Sequence, residues 1–333
     1  MTWRNVRLEV TRVMAFGRLR LGARVFNSRM VSTRSHKTPS RTTAFAILSG
    51  RSRRFAGVHA NPVMSFRMHR RSTAEFLALT HPVDTHRWEF RVDESMTGGR
   101  GSLFGGVGLA AGIVALEQAT GKPVVWATGQ YLSITQQPVI IDLEVQLPAQ
   151  GRHVTQGRVV GHVGDREIIT VIGAVGERPP VASGCWVECP AAPPPEACPN
   201  IDRGQEGDSI HKHVELRLAR GCFGFTMFGE RTDDGRSLLW ARMPDIQHDS
   251  AALGIIADYM PSVLGNALGR VAHCTSLDNT IRFANRCESE WVLCDNRMEF
   301  VGNGFGHGTV HMWSQDGVLL ATGSQSLIVR LPE

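Results

Sequence analysis

From Ser276 to Phe283 the chain alternates, with Leu277, Ile281 and Phe283 on one face and Ser276, Asp278, Thr280 and Arg282 on the other. A period of two predicts a strand. The same period recurs in "HRWEFRV", "VVWATGQYL", "VIIDLEVQL", "RHVTQGRVVGHV" and "EIITVIGAVG", with "GDRE" turning the last two into a hairpin. After the first of these strands, "GSLFGGVGLAAGIVALEQATG" sets Leu109, Ile113 and Leu116 at helical spacing and offers Gly121 as a C-terminal stop. The order then repeats. "CFGFTMFG" and "SLLWARM" read as strands, and "DSAALGIIADYMPSVLGNALGR" as a helix capped by Asp249 or Ser250. Leu253, Ile256, Met260 and Leu264 line one side of that helix, and Pro261 kinks or interrupts it. "SLDNTIRF", "EWVLCDNRMEF", "GHGTVHMWS" and "VLLATGSQSLIVR" follow as strands, the last two joined by the turn "QDG".

One long helix and a meander of long strands, twice over, predict an α+β architecture in which a sheet wraps a helix and the unit is duplicated. The predicted boundaries are a tail at 1–71, a first domain at 73–178, a linker at 179–209 and a second domain at 210–333. The linker is proline-rich, without sustained periodicity, and is expected to be semi-rigid and draped over the surface.

Charge changes the picture in one place. The tail carries 16 of the chain's 36 Lys and Arg but only one of its 31 acids, Glu9. The remainder is therefore acidic, which argues against nucleic-acid binding by the folded part. The tail's Arg-, Ser- and Thr-rich composition fits a disordered segment or a start set upstream of the true one at Met64 or Met68. A mitochondrial transit peptide is the alternative, so the expected location is cytoplasmic or, on that alternative, mitochondrial. No run of eighteen apolar residues predicts a membrane span. Seven scattered cysteines suggest a reducing compartment, and the spacing of Cys185, Cys189 and Cys198 matches no common zinc pattern. His211 and His213 read as surface residues and His307 as part of a turn. No metal and no cofactor are expected.

With "SLDNTIRF", "EWVL" and "QDGVLLATGSQSLIVR" in this order and spacing, and "LFGG" and "QYL" in the first half, the chain resembles the acyl-CoA thioesterase II family over residues 73–331. The resemblance implies a double hotdog: two antiparallel sheets, each wrapped around a long helix, forming one extended sheet. It implies hydrolysis of acyl-CoA to CoA and a fatty or other carboxylic acid. Asp278 falls on the family's catalytic aspartate and Gln325 on its glutamine, the first able to take a proton from water and the second to orient it. No G-x-S-x-G elbow or ordered triad is present, so a mechanism without a covalent intermediate is expected.

Two departures stand out. The family's Ser or Thr position falls near Met298 and Glu299, which offer no hydroxyl, and Asn279 stands where His is common. Asn279, Thr280 and Asn303 are candidates for positioning water or substrate. Gly105 and Gly106 open the first helix; they either present N–H groups to the thioester, as helix starts do in hotdog enzymes, or permit tight packing on the sheet. Trp126 and Tyr131 read as core residues. The expected partner is acyl-CoA, and the expected assembly a homodimer of double hotdogs. Two alternatives remain: a non-catalytic acyl-CoA-binding protein, and an enoyl-thioester hydratase, whose "GD-x-N-x-x-H" neighbourhood is absent.

Overall fold

The computed structural model describes residues 70–81, 86–99, 101–203 and 207–332. The basic tail lies outside the described residues except for its last two positions, and these belong to the folded body. Arg71 donates its N–H to the Asp245 carbonyl and accepts from the Gln247 N–H, at 3.0 and 2.8 Å, and Arg70 pairs with Glu290.

The first half runs α1 (Thr73–Leu77), β1 (Arg87–Val92), α2 (Gly105–Thr120), β2 (Val124–Tyr131), β3 (Val139–Gln150), β4 (Val154–Val163) and β5 (Arg166–Gly176). The second half begins with α3 (Ile210–His213), β6 (Glu215–Arg220), β7 (Cys222–Phe223), β8 (Phe228–Gly229) and β9 (Arg236–Arg242). It continues through α4 (Ser250–Ala257), α5 (Val263–Leu268), β10 (His273–Ser276), β11 (Asp278–Phe283), β12 (Val292–Gly302), β13 (Phe305–Ser314) and β14 (Leu319–Arg330). Among the described residues, twelve strands form one sheet in the order β1-β3-β4-β5-β2-β11-β14-β13-β12-β9-β6, with β10 added on β14. The seam between the halves is the antiparallel pair β2–β11, where Thr128 lies opposite Thr280. Pairing these two strands removes the open edge that each half would otherwise expose.

The strands alternate as their sequences require. In β1, Trp88, Phe90 and Val92 are buried and the residues between them exposed; in β3, Ile141, Leu143 and Val145 are buried. α2 is buried on nearly all sides because it packs on both the sheet and α4: a Cβ on Gly112 would meet Val171, and one on Gly106 would meet the Ile255 backbone at 2.9 Å. The Ser250–Leu268 stretch is apolar and long enough to cross a bilayer, but 89% of its most apolar window is buried inside the protein.

Three local expectations are corrected. "CFGFTMFG" is not one strand but the small hairpin β7–β8, turned at Met227 with φ 55°. The true edge strand, β6, lies where no element is predicted, since Leu216 and Leu218 alone make too short a pattern. And Leu277 does not share a face with Ile281. The pairing with β14 slips by one residue between Ser276↔Leu327 and Thr280↔Ser324, a bulge that turns Leu277 outward while Asn279 keeps the buried face of Ile281.

Between β5 and α3 the described residues include a 3₁₀ turn, Pro195–Ala197, and pack on the outer face of the second half. Cys198 packs there with Leu238, Trp240, Trp291, Leu293 and Trp313, and Trp240 Nε1 donates to the Pro193 carbonyl at 2.9 Å. Farther on, Asn200 bridges Arg217 and so protects the β6 edge.

Candidate active site

α2 begins without help from its own cap. Its N-cap residue is Phe104, which offers no side-chain hydrogen bond, so the first N–H groups of the helix need partners from elsewhere. One partner comes from the other half of the chain. Asp258 Oδ2 accepts the Gly106 N–H at 2.7 Å, which places a carboxylate at the positive end of the α2 dipole. Asp258 is available because α4 stops there. Pro261 lacks an N–H and would crowd the Ala257 carbonyl, so the chain leaves the α-helix and passes through a 3₁₀ turn, Met260–Ser262, into α5. Asp258 is thus the C-cap of α4 and, at 8% exposure, a buried carboxylate.

The sheet supplies the rest. Gln325, 3% exposed on β14, donates from Nε2 to Asp258 Oδ1 at 2.5 Å. The β11–β14 register, carried one residue beyond Thr280↔Ser324, sets Asn279 opposite Gln325 on the same inner face. Tyr131 at the end of β2 brings its ring against α2: a Cβ on Gly105 would lie 2.8 Å from Tyr131 Cζ and 3.0 Å from Asp258 Oδ2. Gly105 is therefore required for the close approach of three elements.

Among the described residues, four polar atoms in this cluster have no hydrogen bond of normal geometry: Gln325 Oε1, both amide atoms of Asn279, and the Tyr131 hydroxyl, although the Asn279 amide lies near enough to act on Asp258 and Tyr131. Buried polar atoms are nearly always paired, because leaving one unpaired costs about 1–3 kcal/mol. A group of orphans around one carboxylate is the signature of a site that receives a polar ligand. Burial pushes the Asp258 carboxyl up to about 7, against the opposing pull of the Gly106 N–H and the Gln325 and Asn279 amides. Burial, reinforced by the Asp258 charge, likewise raises the Tyr131 phenol well above its ordinary value, so it remains a hydrogen-bond donor.

The residues singled out from sequence divide accordingly. Gln325 and Asn279 are brought together; Asp278 is next to them but is not hydrogen-bonded to Gln325 among the described contacts. Its Oδ1 accepts the Ser326 N–H at 2.8 Å, a bond made possible by the bulge, and its charge is felt by the Tyr131 hydroxyl. Thr280 is elsewhere, its hydroxyl 2.9 Å from that of Thr128 across the seam. Asn303 does not replace the missing hydroxyl: it occupies the left-handed position (φ 55°) of the exposed turn between β12 and β13. Met298 is buried, near Gly306 and Gly235, while Glu299 accepts from Thr309 at 2.9 Å. Gly106 packs against α4 rather than the sheet, and its N–H is occupied by Asp258. Tyr131, read as core, belongs to the site.

His211 is likewise not a surface residue. It bonds the Tyr259 hydroxyl at 2.8 Å, and burial, with Arg203 nearby, pushes it down to about 4. The residue missed altogether is Asp258, although one signal was present: it is the only charged side chain in the apolar run Ser250–Leu268. An open cleft of about 400 Å³ lies on the sheet beside Arg282, Arg297, His311 and Ser324. Its side chains are mostly charged or hydroxylic and solvated, and none of the orphaned atoms belongs to its lining.

Residues 188–329 match the family model of the acyl-CoA thioesterase C-terminal domain. A protein from Novosphingobium aromaticivorans, provisionally described as a thioesterase, is 32% identical, covering 76% of this chain and 99% of its own, with a TM-score of 0.68. A hotdog-fold protein of unknown function from Alicyclobacillus acidocaldarius shares 19% identity over 78% of this chain and 98% of its own, with a TM-score of 0.69. An acyl-CoA thioesterase II from Mycobacterium marinum shares 18% identity over 79% and 99%, with a TM-score of 0.60. The last two show the fold alone. No curated protein matches the chain.

Proposed function

Because the chain belongs to the acyl-CoA thioesterase II family of double-hotdog proteins, we propose that it hydrolyses acyl-CoA with a water activated by Asp278 and oriented by Gln325. Thioester hydrolysis is the activity of the family. The observation that carries it is the set of unpartnered atoms at the α2 start: Gln325 Oε1 to accept from water, and Asn279 Nδ2 and the Tyr131 hydroxyl to donate to a carbonyl oxygen.

In this mechanism Asp278, anchored through Oδ1, takes a proton from the water. The resulting hydroxide attacks the thioester carbon, and the oxyanion is received by the two donors. The C–S bond then breaks, the carboxylic acid is formed, and the proton held by Asp278 passes to the departing CoA thiolate. No enzyme nucleophile is consumed.

One observation favours a second reading, a non-catalytic acyl-CoA-binding protein: a buried methionine, Met298, stands where the family's hydroxyl is expected. Release of CoA from acetyl-, octanoyl- and palmitoyl-CoA, followed with a thiol reagent, separates the two. Turnover above the uncatalysed rate is the expected result; binding without turnover of any of the three would establish the second reading.

A further inference from the structure

The orphaned atoms surround one group whose partners are complete. The Asp258 carboxylate bridges the halves, with the Gly106 N–H on one oxygen and the Gln325 amide on the other. We propose that Asp258 is the positioning residue of the hydrolytic site: by accepting Gln325 Nε2 it fixes that amide so that Oε1, rather than the NH₂ group, faces the attacking water.

An amide has two ends of nearly equal size and opposite hydrogen-bonding character. Packing alone discriminates poorly between its two orientations, whereas a carboxylate that is ionised, as Asp258 is above about pH 7, only accepts and therefore selects the NH₂ end. A water about to lose a proton needs an acceptor beside it, and Oε1 in this orientation is that acceptor. The second arm, on the Gly106 N–H, ties Asp258 to the α2 start, so that the carboxylate holds its place while substrate enters.

The same geometry explains the unusual composition of α4. A lone charge in an apolar helix is costly unless it is bonded, and both oxygens of Asp258 are. The titratable groups within electrostatic reach are Tyr131 on β2, Cys274 on β10 and Tyr259 after α4. Arg203, which donates to the Tyr259 hydroxyl, stands just beyond, and Asp278 on β11 acts on the same Tyr131 hydroxyl. Burial pushes Tyr259 and Cys274 up to about 12. Neither they nor Tyr131 titrate near neutrality, where Asp258 does.

This inference deepens the thioesterase reading and rests on it, so the test separates the two. Asp258→Asn keeps an acceptor for the Gly106 N–H but presents NH₂ to Gln325, which turns the amide around. It is expected to lower kcat ~30-fold with KM within about threefold of wild type. Asp258→Asn combined with Gln325→Glu restores the hydrogen bond with donor and acceptor exchanged, conserves charge, and leaves one Glu oxygen for the water. That double variant is expected to recover kcat to within ~fivefold of wild type, a non-additivity that a purely structural cap would not produce. Wild-type kcat in Asp258→Asn, or a double variant no faster than either single one, overturns the proposal.

A second measurement needs no turnover. In the ¹⁵N-labelled full chain, the Gln325 side-chain NH₂ signal, identified by its loss in Gln325→Glu, is expected to shift with pH about a midpoint near 7. A signal that does not move overturns the contact. A wild-type chain that releases no CoA overturns the hydrolase reading alone, and a variant that fails to fold leaves the wild-type titration to decide.

Discussion

The two halves can be compared residue by residue at their seam, because Thr128 and Thr280, opposite one another there, are 152 positions apart. The same shift relates the strands on either side. Where the first half sets Ala127 opposite Gly173, the second has Asn279 and Gln325 at the corresponding positions, just beyond the Thr280↔Ser324 pair. The inner face of the first half has no room for a polar pair: a Cβ on Gly173 would lie 2.6 Å from the Trp126 carbonyl and 3.4 Å from Leu116.

The helix starts differ in the same sense. α4 is capped by its own Asp249, whose carboxylate accepts from the Ala252 N–H and from both the N–H and the hydroxyl of Thr73 in α1. α2 is capped across the halves by Asp258, and unpartnered atoms remain around it. Duplication supplies two equivalent positions, and the side chains leave unpartnered polar atoms at one and fill the other.

The most severe way to break this comparison is Asp278→Asn, which keeps shape while removing the proton acceptor. A fall in kcat of roughly 100-fold or more, at equal folded fraction, is expected; turnover equal to wild type would return Asp278 to a structural role. Gly173→Ala should act on stability and not on the chemistry. Overpacking against the β2 backbone predicts a loss of about 1–3 kcal/mol in a denaturant titration, with kcat unchanged in the folded fraction.

Gln325→Ala removes the orienting group but leaves the base, so kcat should fall by ~50-fold, at least as far as in Asp258→Asn and less than for Asp278→Asn, in the same CoA-release assay.

The pH dependence of stability sharpens the contrast further. Between about pH 4 and 7 the unfolded chain ionises Asp258 while the folded chain keeps it protonated, so this residue makes stability fall as pH rises, with no further change above about 7. His211 and His248, pushed down to about 4 chiefly by burial, act oppositely up to about pH 6.5. The contribution of Asp258 is therefore read as a difference: the melting temperature of wild type minus that of Asp258→Asn should decrease from pH 4 to 7. A constant difference would show that Asp258 titrates normally in the fold. The smallest effect belongs to Asn303→Gly, in an exposed left-handed turn. Stability within about 0.5 kcal/mol of wild type and unaltered kcat are expected, and a lower kcat would bring that turn into the site after all.

Asp258 shows most clearly where the sequence stops being informative. Its isolation in an apolar run marks it as costly, but its two partners, Gly106 and Gln325, lie 152 and 67 positions away, and no local pattern connects them. Leu277 teaches the same lesson on a smaller scale. Period-two alternation puts it on the face of Ile281, and one inserted residue in the pairing with β14 turns it outward, while Asn279 stays on the buried Ile281 face.

What the sequence by itself determined is whatever a local period or a bound set of motifs can encode. That covers the alternating strands, the glycine that ends α2, the break at Pro261, the duplication, and the placing of Asp278 and Gln325 on successive words of a recognisable order. Only the tertiary structure decided which carboxylate Gln325 touches, which helix start lacks a cap of its own, and which of two equivalent positions keeps polar atoms without partners. The physical reason is the range of the interactions. Side-chain periodicity and backbone stereochemistry act over a few residues, whereas the capping of one helix by another and the register of a sheet exist only once the chain has brought its two halves together.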